Sequence, residues 1–138
     1  MKRTLIIPVL AFLMVAGAVR VVQALPRAIE SEASLSTDDQ VRAALAAMRR
    51  SLLDLASLQE MRAGDSGQYT ADLAKLGYHP AAGVNVRVLE ATSAGWSGEA
   101  THPDAPGRSC VIYFGNVTVP STQGGKTPAR PKALACDS

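Results

Sequence analysis

Residues 41–61 read VRAALAAMRRSLLDLASLQEM, and residues 83–89 read GVNVRVL. The two stretches follow different periods. In the first, Val41, Leu45, Met48, Leu52 and Leu55 recur at alternating steps of four and three, which places them on one face of a helix. Leu58 and Met61 continue the stripe after a small rotation. Arg42, Arg49, Arg50, Asp54 and Glu60 fall at other positions, so the helix is amphipathic and has one side to bury. In the second stretch, Val84, Val86 and Val88 alternate with Asn85, Arg87 and Leu89, the period of a strand with one apolar face. A helix with one apolar stripe and a strand with one apolar face each require cover, and each supplies it for the other. These residues, with Ile112 from a later strand, form the expected helix–sheet core.

Working outward, Thr37-Asp38-Asp39-Gln40 has the form of a capping box and predicts a helix starting at about residue 38. Residues 25–36, with Pro26 near their start, read as a polar connector or weak helical lead-in. Gly64 is the expected end of the helix. Asp65-Ser66-Gly67 reads as a turn, and Thr70 as the cap of a short second helix through Leu73 and Leu76, stopped by Gly77 and Pro80. Ser93-Ala94-Gly95 is a turn before a second strand, Trp96 to Thr101. After a loop over 102–107, Cys110 to Gly115 is a third strand, Val111-Ile112-Tyr113-Phe114 being its most apolar part. From Asn116 onward, Pro120, Pro128, Pro131 and the pair Gly124-Gly125 argue for an irregular segment. The expected class is α+β: a long amphipathic helix on an antiparallel sheet of three strands, with room for a fourth.

The first 24 residues have the form of an export signal. Lys2 and Arg3 give a positive start, Leu5 to Val19 is an apolar run, and Val22-Gln23-Ala24 offers small residues for cleavage after Ala24. The alternative is an uncleaved anchor in the inner membrane, although the run stops at Arg20, short of the roughly 20 residues that span a bilayer. Either reading places the body, residues 37–138, outside the cytoplasm, in the periplasm or at the cell surface. Cys110 and Cys136, the two cysteines of the chain, are then expected to join, because an oxidising compartment favours the bridge.

The composition excludes more chemistry than it suggests. With Lys2, Arg3 and Arg20 set aside, 11 basic residues face 12 acidic ones, so a generally basic, nucleic-acid-binding surface is not expected. Arg108, Lys126, Arg130 and Lys132 do lie in a stretch from Ala105 to Ala135 without Asp or Glu, and form a candidate anion patch. His79 and His102 sit beside prolines with no nucleophile motif around them and read as solvated loop residues. Gly124-Gly125-Lys126 lacks the spacing of a phosphate-binding loop. No catalytic residue, metal site or cofactor is expected. Asp65 and Asp72 read as solvated carboxylates.

The order of these elements resembles the globular head of type IV pilins and of type II secretion pseudopilins. The residues that carry the resemblance are Leu52 and Leu55 followed by Gln59-Glu60, then Gly67 to Leu73, Leu76-Gly77-Tyr78, Gly83 to Val86, Gly95-Trp96-Ser97, Ala100-Thr101-His102 and Cys110 to Asn116, plus Cys136. The resemblance implies a disulfide-closed C-terminal loop and a structural or accessory role in a pilus or secretion apparatus, through contacts with other pilin-like subunits or secretion-machinery proteins. Some major pseudopilins hold calcium in that loop, but the absence of acids from Ala105 to Ala135 argues against such a site here. The leader also departs from the family: it has no Gly-Phe junction, and no acid follows in the apolar run. A soluble extracytoplasmic binding module with a pilin-like head is therefore the alternative.

Overall fold

The computed structural model describes residues 25–138, with side chains from residue 36. The leader reading of residues 1–24 falls outside the described residues. A division between Thr37 and Asp38 sets apart a compact unit, Asp38–Ser138, which holds the sheet and the core described below.

Helix α1 runs over Leu25–Ser66. It does not start at the capping-box sequence: Thr37 to Gln40 lie within it. No Gly or Pro interrupts residues 27–63, and a few Ser, Thr and Asp residues each cost only about 0.5 kcal/mol in a helix interior. Asp39 instead pairs with Arg42 one turn on, at 3.0 Å. The helix also runs past Gly64. It ends at Gly67, which takes φ 72° and donates its amide to the Ala63 carbonyl at 2.8 Å. Among the described residues no helix is long and apolar enough to cross a membrane.

The short second helix is absent. Residues 70–78 form successive turns, with Leu76 and Tyr78 amides both donating to Leu73 and the Gly77 amide to Ala74. Asp72 Oδ1 accepts from the Ala74 and Lys75 amides at 3.1 and 3.3 Å. A segment this short, ended by Gly77 and Pro80, gains too few bonds to offset helix nucleation.

Four antiparallel strands follow in the order β1-β2-β3-β4: β1 Asn85–Ala91, β2 Gly95–Thr101, β3 Ser109–Gly115 and the two-residue β4 Ala135–Cys136. The register puts Val86 opposite Ala100, Ala100 opposite Cys110, and Cys110 opposite Cys136; Val88, Gly98 and Ile112 form the next row, and Trp96 pairs with Phe114. These rows face α1. Met48, Leu52 and Leu55 are buried against Val84, Val86, Trp96, Ala100, Cys110 and Ile112, while Val41, Leu45 and Val88 are half-buried at the margin. Gly98 makes room for this packing: a Cβ there would stand 3.0 Å from the Trp96 ring and 3.7 Å from Leu52. One expected member of the stripe is misplaced, since Met61 is 64 % exposed and the buried position beside it belongs to Gln59.

The opposite face of the sheet is covered too. Ser97, Glu99, Ser109 and Val111 point away from α1 yet are buried. The irregular segment 116–134 crosses this side as a strap. The Thr118 amide donates to Glu90 at 3.1 Å, the Gln123 amide to Ser109 Oγ at 2.9 Å, and Pro120, Thr122 and Pro128 are buried. Cys110 and Cys136 are joined, with an S–S distance of 2.04 Å, so the chain beyond the strap is bonded to β3. Such a bridge suits an oxidising compartment outside the cytoplasm.

Candidate functional site

Helix α1 buries two polar side chains, Gln59 and Ser51, and lines a groove with a neighbouring stripe. Gln59 continues the buried row of Met48, Leu52 and Leu55, so its side chain is drawn into the core although it is polar. There its Nε2 donates to the Thr70 carbonyl at 2.6 Å and its Oε1 accepts from the Thr70 amide at 3.0 Å, so both ends of the amide are satisfied. Ser51, also buried, accepts from the Ala81 amide at 3.1 Å, and its carbonyl accepts from Tyr78 Oη at 2.8 Å. Burial pushes the Tyr78 phenol above its ordinary pKa, the bond to Ser51 opposes this and Asp54 adds to it.

Leu53, Ala56, Ser57 and Glu60 stand at steps of three, one and three, a stripe of α1 beside the buried one. With the edge of the sheet they enclose a groove of about 270 Å³. The sheet side is made by Trp96, Ile112, Tyr113 and Phe114, and Lys132 from the strap closes one end. Lys132 is the one non-glycine among the described residues with positive φ, at 68°. Its amide donates to the Tyr113 carbonyl at 2.8 Å, and its Nζ lies 3.7 Å from Glu60 Oε2 and 4.5 Å from the Phe114 ring centre. Tyr69 meets the same ring edge-on at 5.8 Å. Burial, then the charge and hydrogen bond of Glu60, hold the Tyr69 phenol above its ordinary pKa.

A second polar cluster locks the strap. Asp137 is buried; its Oδ2 accepts from the Ser109 and Gly124 amides at 2.9 and 3.1 Å, and its Oδ1 from the Thr122 hydroxyl at 2.6 Å. Burial alone would raise its pKa. The three hydrogen bonds and the Lys126 charge outweigh that and hold the carboxyl below the usual range. Because these neighbours are donors, the cluster suits an anion already in place and offers a cation nothing.

The proposed anion patch is partly neutralised. Lys132 is engaged by Glu60, and Lys126 Nζ donates to Ser138 Oγ at 3.2 Å beside Asp137. Arg130 is exposed and Arg108 half-buried. His79 is exposed as expected, but His102 is not solvated: its side chain is 11 % exposed, its Nδ1 accepts from the Asp104 amide at 3.1 Å, and its ring fills the space where Gly83 lacks a Cβ. Among the described residues no group of three or more His, Cys, Asp or Glu side chains is placed to hold a metal ion. The stripe was expected to continue through Leu58 and Met61, and Gln59 was not among its expected buried members. The role of Asp137, the meeting of Lys132 with Glu60 and Phe114, and the place of Trp96 in the groove wall had no signal in the sequence, because each depends on segments far apart in the chain.

No family model and no curated protein matches the chain.

Proposed function

We propose that this chain is an exported, pilin-like structural or accessory subunit of a type IV pilus or type II secretion apparatus, acting through protein contacts and not as a catalyst. The observation that carries the reading is the architecture: a long helix laid on an antiparallel meander, β1-β2-β3, whose irregular C-terminal segment is closed by a disulfide. Two polar residues of the buried helix face, Ser51 and Gln59, are hydrogen-bonded to backbone of the segment 70–81, which ties that segment to α1. A photo-crosslinker at the exposed Met61, introduced into cells that build such an apparatus, should yield adducts with other pilin-like subunits. A chain that remains free and uncrosslinked would count against the subunit reading.

The leader favours a second reading, a soluble extracytoplasmic binding module, since it lacks the Gly-Phe junction of filament-forming relatives of the resembled family. The intact mass of the exported protein separates the two. A mature start near Leu25 supports the soluble module, and a retained apolar segment supports a membrane-held subunit.

A further inference from the structure

The two ends of the Cys110–Cys136 bridge have different surroundings. Cys110 lies in β3, between β2 and β4, and is fully buried. Cys136 lies in the two-residue β4 at the edge of the sheet and is only half-buried. Arg49, an exposed side chain of α1, donates its Nε–H to Cys136 Sγ at 3.5 Å. Among the described residues no carboxylate pairs with Arg49, so its charge is left to act on that sulfur. The nearest acid along the chain, Asp137, is turned away to Ser109, Thr122 and Gly124. Disulfides are made and broken by attack of a thiolate on one sulfur, and both access to that sulfur and a neighbouring cation decide which one is used. Here both favour the same end.

We propose that Cys136 is the sulfur through which this bridge exchanges with a dithiol–disulfide oxidoreductase, that Arg49 is its positioning residue, and that Cys110 is the sulfur that leaves and returns. In opening, a thiolate of the partner attacks Cys136 Sγ. The electron pair of the broken S–S bond goes to Cys110, which takes up a proton, and a mixed disulfide remains on Cys136. The partner's second thiolate attacks its own sulfur in that mixed disulfide and releases Cys136 as a thiolate beside Arg49, to be protonated from solvent. The chain gains two electrons and two protons, and the partner becomes a disulfide. Closing runs the same steps in reverse. Asp137 keeps the two sulfurs in register meanwhile, since its amide donates to the Ser109 carbonyl at 3.0 Å and its carboxylate accepts from the Ser109 amide. The inference needs only the bridge, so its failure leaves the subunit reading standing.

The test incubates the native, oxidised full chain with reduced glutathione at fixed pH. After an acid quench, free thiols are blocked with N-ethylmaleimide under denaturing conditions and the peptides are mapped by mass spectrometry. Glutathione should be found on Cys136 and maleimide on Cys110. Arg49→Gln should slow this first exchange roughly three- to fivefold, the size of one exposed charge contact with the anionic nucleophile, and Arg49→Lys should restore most of the rate. A merely structural role for Arg49 predicts the opposite, a loosened and faster exchange in Arg49→Gln. Glutathione on Cys110 or on both cysteines alike, an unchanged or faster rate in Arg49→Gln, or no recovery in Arg49→Lys would each overturn the proposal.

Discussion

Asp137 shows how much one side chain near the chain end can hold. Its carboxylate gathers β3, through the Ser109 amide, and two points of the strap, Thr122 and Gly124. Replacing it with alanine leaves three donors without their acceptor, and we expect Asp137→Ala to lower the unfolding free energy by roughly 2–4 kcal/mol in urea titrations. The sign of its pH dependence follows from its lowered pKa. A group held below its unfolded value contributes fully above that value and loses its contribution as pH falls through the folded one. Wild-type protein should therefore lose more stability than Asp137→Asn between about pH 7 and about pH 3, and equal losses would assign acid sensitivity to other carboxylates. Gln59 is the neutral counterpart: its amide replaces a missing backbone partner for Thr70 and carries no pH dependence.

At the scale of the helix, burial and not residue type decides the consequence of substitution. Met48 and Met61 both lie on α1, one fully buried and one 64 % exposed. Met48→Ala should cost about 3 kcal/mol through lost burial and a residual cavity, whereas Met61→Ala should stay within about 0.5 kcal/mol. Thermal denaturation of the two variants side by side checks this contrast, and similar midpoints would mean the helix is rotated from the orientation described. The helix stop is equally local. Gly67→Ala should cost about 1 kcal/mol because φ is positive there, while Gly64, whose φ is not, should accept alanine without that penalty.

Within the unit Asp38–Ser138 the sheet is a middle layer, with the α1 residues from Asp38 onward on one face and the strap on the other. The strap has few ladder bonds of its own and is secured by the Asp137 cluster and by the disulfide at β4. The bridge separates residues 26 apart in sequence, and removing its constraint on the unfolded chain should cost about 3–4 kcal/mol. Hydrogen–deuterium exchange under reducing conditions should show amides of residues 117–134 losing protection before those of the helix from Met48 to Gln59. Simultaneous loss in both would show that the strap and the core unfold as one unit.

What the sequence settled by itself was whatever repeats along the chain: the helical stripe from Val41 to Leu55, the alternating valines of β1, the two later strands, and a cysteine pair with one way to join. Those signals are local and periodic, and burial of an apolar face enforces them. Boundaries were less legible. Thr37 to Gln40 carry the residues of a helix start, yet the uninterrupted run around them continues the helix; Thr70 to Leu76 carry the residues of a short helix, yet cannot offset its nucleation. Only the tertiary structure decided that Gln59 takes the buried place that Met61 was expected to share, that His102 lies under Gly83, and that Trp96, Phe114 and Lys132 meet beside α1. These are meetings of segments remote in sequence, set by strand register and by how the strap closes, and no periodicity within any one segment encodes them.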